Sequence, residues 1–109
     1  MRQFLLLPIL LFVGGCATSS AGLYRMGVEH VITGTKPAQD FATCAAEVMQ
    51  GNPTLRGNGG HWWVLRENGY GVPIVRWDFT DKPSGGSTAE LRATAIAGAA
   101  KDKVQRCAN

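Results

Sequence analysis

Two runs rich in aromatic and β-branched residues, 61–67 (HWWVLRE) and 72–80 (VPIVRWDFT), flank the dipeptide Asn68-Gly69. This is the strongest short-range signal for a β-hairpin, because Asn and Gly accept the positive φ of a tight turn whose twist matches its strands. A two-residue turn sets Leu65 opposite Val72 and Trp63 opposite Ile74. One face of the ribbon then carries Trp63, Leu65, Val72 and Ile74, and the other Trp62, Val64, Val75, Trp77 and Phe79. Both faces are apolar, which a hairpin with one wet face does not need. Pro73 has no amide hydrogen to give a ladder, so the second strand is expected at a sheet edge or only partly paired.

The flanking segments read as helices. In 38–50, Phe41, Cys44, Ala45, Val48 and Met49 recur at helical spacing, with Pro37 in the first turn and Thr35 as the expected N-cap. Gly51-Asn52-Pro53 ends the run. Ser87-Thr88-Ala89-Glu90 has the form of a capping box and predicts a second helix reaching about Arg106. Its stripe is Ala93, Ile96, Ala97, Ala100, Val104 and Cys107, and Lys101, Lys103 and Arg106 suit its negative end. Residues 54–60 read as a Gly-rich loop, and 23–32 as a strand or a packed loop. The expected class is α+β: a small α-β-β-α domain with a central hairpin packed on two helices, and room for one extra N-terminal strand.

The N-terminus follows a different logic. Arg2 precedes an apolar run over 4–13, broken only by Pro8, and Gly14-Gly15 follows. This charged, apolar, small-residue order is that of a secretory signal. The run is too short for a membrane span, which needs roughly 20 residues. Val13-Gly14-Gly15-Cys16 resembles the lipobox of bacterial lipoproteins, with Val13 where Leu is usual and Gly14 where Ala or Ser is usual. The resemblance implies cleavage before Cys16, attachment of acyl chains such as palmitate at Cys16, and firm anchoring by several chains. Ala17 after the cysteine implies the outer membrane, with the protein facing the periplasm. The organisation is then a signal peptide at 1–15, a lipidated small and polar tether at 16–22, and a single domain at 23–109. With Cys16 given to lipid, Cys44 and Cys107 remain, and an oxidising compartment joins them in a disulfide.

Net charge is +3 and the basic residues are scattered singly, so no nucleic-acid footprint exists. His30 and His61 show no metal-ligand spacing, and the Gly-rich 51–60 stretch lacks a phosphate-binding signature. No metal and no cofactor are expected. His61, with Glu67, Asp78 or Asp81 as partner, could serve as a general base, yet no nucleophile accompanies it; Ser84 and Ser87 read as loop and cap. Trp62, Trp63 and Trp77 are either core or a docking surface rimmed by Arg66 and Arg76. Three functions stay open. The first is a non-enzymatic envelope lipoprotein that binds a protein or glycan through the aromatic hairpin. The others are a periplasmic enzyme acting on cell-wall material and an inhibitor or immunity-type protein using loop 54–60.

Overall fold

The computed structural model describes residues 19–94 and 98–109. The signal segment, Cys16 and the start of the tether lie outside the described residues, as do Ile96 and Ala97 of the expected helical stripe. The described elements are α1 (Ser20–Tyr24), β1 (His30–Gly34), α2 (Ala38–Val48), β2 (Thr54–Asn58), β3 (His61–Glu67), β4 (Pro73–Asp81), β5 (Ser87–Ala93) and α3 (Lys101–Arg106). The strands form one antiparallel sheet in the order β1-β5-β4-β3-β2. The class is mixed, as expected, but the sheet dominates and the two-helix plan does not hold.

The largest departure is 87–93, a strand where a helix was expected. Its burial alternates strictly, with Ser87, Ala89, Leu91 and Ala93 buried and the residues between them half-buried. The capping-box pattern belongs to a segment whose true period is two, and pairing with both β1 and β4 satisfies its amides in place of a helix. Ser87 Oγ caps nothing in its own segment and donates to the Lys36 carbonyl at 2.7 Å. The helix near the C-terminus is only Lys101–Arg106, preceded by Ala100 in the left-handed region at φ 57°. Residues 54–60 are likewise not a loop. They form β2 and the two-residue Gly59-Gly60 turn that sets Asn58 opposite His61, with Gly59 at φ 56°.

The β3–β4 hairpin exists in another register. Leu65 pairs with Arg76 and Trp63 with Asp78, and a bulge between Arg66 and Glu67 sets Glu67 against Pro73. The connection is longer because Asn68 Oδ1 accepts from the Tyr70 and Val72 amides at 2.8 and 3.0 Å, an Asx-type turn rather than a two-residue one. From Arg66–Val75 onward the shift is even, so Trp62, Trp63, Val64, Leu65, Val75, Trp77 and Phe79 keep their expected faces, whereas the bulge moves Ile74 against the helix-side core and Val72 falls outside the strand. β4 is an interior strand, not an edge; Pro73 occupies its first position, where a missing amide does little harm.

One face of the sheet holds Val64, Val75, Trp77, Phe79, Ala89, Leu91 and Ile32 against Phe41, Ala42 and Ala45 of α2 and Val104 of α3. The helix period expected for α2 is present, but Thr35 is not its cap. The Ala38 amide donates instead to Asp81 Oδ1 at 2.7 Å. Cys44 of α2 and Cys107 at the end of α3 are joined by a disulfide, with Cα atoms 5.7 Å apart. α1 lies on the other face. The segment read as a tether through Gly22 is already folded from Ser20, because Ser19 Oγ accepts from the Gly22 amide at 2.9 Å and Gly22 and Leu23 are buried. Among the described residues no helix is long and apolar enough to cross a membrane.

Candidate functional site

Alternation along β4 sends Val75, Trp77 and Phe79 to the helices and Arg76 and Asp78 to the α1 face. Asp78 is 1% exposed there, and it is met from three sides. Arg76 approaches as a fork, with Nε to Oδ2 and Nη2 to Oδ1, each at 2.9 Å. This bidentate geometry is the strong form of an Arg–carboxylate pair. His61 Nε2 lies 2.8 Å from Oδ1 and Arg92 Nη1 lies 3.4 Å from Oδ2. A carboxylate can only accept, so the hydrogen of the His–Asp pair sits on Nε2. The remaining guanidinium edge of Arg76 donates to Ser20 Oγ at 2.8 Å, which ties α1 to the cluster.

Aromatic rings close the arrangement. The Arg76 guanidinium lies 4.7 Å from the Tyr24 ring centre and 4.9 Å from that of Trp63. Arg92 also lies 4.7 Å from the Tyr24 ring, and its Nε donates to the Met26 carbonyl at 3.1 Å. The result is a stack of alternating cation and π face around a buried carboxylate. No buried side-chain polar atom among the described residues is left without a partner.

The five hairpin residues picked out from the sequence therefore part company. Trp77 is fully buried and offers no surface; its indole N–H donates to the Ala99 carbonyl at 2.9 Å. This corrects its assignment to a docking face, since the register points it at α2 and α3. Arg76 is 7% exposed and forms the floor of the α1 face rather than a rim. Trp62 is half-buried on the helix side, its N–H held by the Gly59 carbonyl at 3.0 Å. Trp63 is half-buried on the α1 face, and its indole N–H has no protein acceptor among the described residues. Arg66 lies on the helix side with Nε on the Gln50 carbonyl at 3.1 Å. It borders a cleft of about 430 Å³ shared with Val48, Ala100, Lys101 and Lys103, which has no residue in common with the Asp78 cluster.

Of the four polar groups named near the hairpin, Asp78 is the one that meets His61. Asp81 turns away to cap α2, and Glu67 lies exposed at the far end of β3. Tyr24, Arg92 and Ser20 were missed. Arg76-x-Asp78 was readable as a same-face pair on a strand, but Arg92 becomes visible only once 87–93 is taken as a strand beside it. No group of three or more His, Cys, Asp and Glu side chains able to hold a metal ion exists among the described residues.

Compared with known proteins, the chain matches no family model, no curated relative and no solved structure. Any functional reading therefore stands on its own residues.

Proposed function

We propose that the chain is a membrane-anchored bacterial envelope lipoprotein, held at the outer membrane by acyl chains on Cys16 and acting in the periplasm as a non-enzymatic interaction module. The observation that carries this is Val13-Gly14-Gly15-Cys16 at the end of a short apolar run. The cysteine pairing supports it, because Cys44 and Cys107 bond to each other and leave Cys16 as the odd thiol. The interaction surface is the α1 face, where Trp63 and Tyr24 bracket Arg76. Metabolic labelling with an alkyne fatty acid tests the anchor. The parent is expected to take up label and Cys16→Ser to lose it; equal labelling of both overturns the reading.

The His61–Asp78 contact favours a second reading, an enzyme acting on cell-wall material. His61 Nδ1 would be the base, with Asp78 orienting the ring. Against it, Asp78 is already shared with two arginines. Release of soluble fragments from purified peptidoglycan by the parent, lost in His61→Ala, would favour this reading over the first.

A further inference from the structure

The chain enters the fold over the middle of the α1 face. Ser20 lies on Arg76, in β4, the central strand of the sheet. Only four residue steps separate Ser20 from Cys16, and an extended chain covers at most about 14 Å in that distance. Acyl chains on Cys16 would hold the centre of this face within that reach of the lipid. The helix-covered face is on the far side of the sheet and cannot be the one nearest the anchor.

The composition of the face suits such a position. Four large hydrophobic side chains are exposed among the described residues, and three of them, Tyr24, Val28 and Val31, fall in the stretch from α1 to β1. Val31 sits opposite Glu90, on the same side of the sheet as Asp78 and Arg92. Tyr24 and Trp63 have the apolar body and polar tip that favour the boundary between hydrocarbon and water. Trp63 alone of the three tryptophans has an indole N–H without a protein acceptor among the described residues. Arg56, facing the same way opposite Trp63, joins Arg76 and Arg92 on this face, which also carries Asp78, Glu90 and Glu67. Arg56 is exposed there and can meet a phosphate headgroup.

We propose that the α1 face, from Tyr24 and Val31 across to Trp63, rests on the phospholipid headgroup layer of the membrane that carries the anchor. This rests on the lipoprotein reading above and names the partner of its interaction surface. A folded protein partner does not fit the gap that so short a connection leaves.

The test uses the full chain, lipidated at Cys16, in vesicles of phosphatidylethanolamine and phosphatidylglycerol containing a headgroup-nitroxide lipid. Tryptophan emission from the parent is expected to be quenched in part. Trp63→Phe, which keeps core Trp77 and far-face Trp62, should lose that quenching. Val31→Trp added to Trp63→Phe should restore it from a second, exposed position on the same face. If the protein floats with the vesicles and the parent and both variants quench alike, the face does not lie on the membrane and the anchor reading survives. If the parent does not float, the anchor reading fails and this inference falls with it.

Discussion

At Asp78 one carboxylate offsets the charge of Arg76 in a place where neither side chain is more than 9% exposed. Removing one partner of such a buried pair leaves the other charge uncompensated in low dielectric, at a cost of about 3–5 kcal/mol. Asp78→Ala is therefore expected to lose a large part of the stability a domain of this size has, which is about 5–15 kcal/mol in all. His61 differs, because its side chain is 39% exposed and water can replace what it loses. His61→Ala should cost less than about 1 kcal/mol. Urea denaturation of the two variants checks the contrast. Equal losses would mean that the histidine, not the arginine fork, holds the carboxylate. Gly34 constrains the same scale from another side: an added Cβ would meet the backbone oxygen of Ala108 at 2.3 Å, so only glycine admits the C-terminal segment beside β1.

Among the elements, α2 shows how a short helix is completed from elsewhere in the chain. Pro37 at its N-cap has no hydrogen-bonding side chain to offer, and the Ala38 amide is satisfied by Asp81, at the end of β4. Loss of an N-cap acceptor costs about 1 kcal/mol. Asp81→Ala should thus lower the urea midpoint modestly, with an unchanged slope, whereas Thr35→Ala should leave the helix N-terminus untouched. A larger effect from Thr35→Ala would restore the local cap that the sequence suggested. These elements also show what was legible. Phe41, Ala45 and Met49 gave α2 directly, since helical spacing is a local property. Two aromatic runs gave β3 and β4, with the correct faces except at Val72 and Ile74 beside the bulge. The small residues Ser87, Ala89 and Ala93 concealed β5, because they carry little hydrophobic contrast and fit a helix stripe as well as a strand face. What decided the matter was β4 and β1 on either side, which is a non-local fact. Gly59-Gly60 carried a turn signal for β2–β3 that the neighbouring Gly57 and Asn58 masked. The Asp78 cluster was half legible for the same reason: Arg76 and Asp78 share a strand, while Arg92 and Tyr24 reach it only through tertiary pairing.

Over the whole molecule, the C-terminus is the piece most in need of a tie. α3 is only six residues long, too short to hold itself in water, and it follows β5 through the segment that includes Gly98 and Ala99. Three contacts secure it. Val104 enters the core, the Ala108 carbonyl accepts from the Thr35 amide at 2.9 Å, and Cys107 bonds to Cys44 on α2. The disulfide closes a loop with a sequence separation of 63, which contains β2 through β5. In the chain-entropy account, closing a loop of that length restricts the unfolded chain enough to stabilise the fold by about 4 kcal/mol. The bond acts mainly on the unfolded ensemble, so the native contacts around Trp77 need not change when it is absent. The double variant Cys44→Ala, Cys107→Ala is expected to show native tryptophan emission at low temperature and a large drop in urea midpoint. The parent in reducing buffer should follow the variant. An unchanged midpoint in reductant would mean that the contacts of Val104 and Ala108 hold α3 in place by themselves.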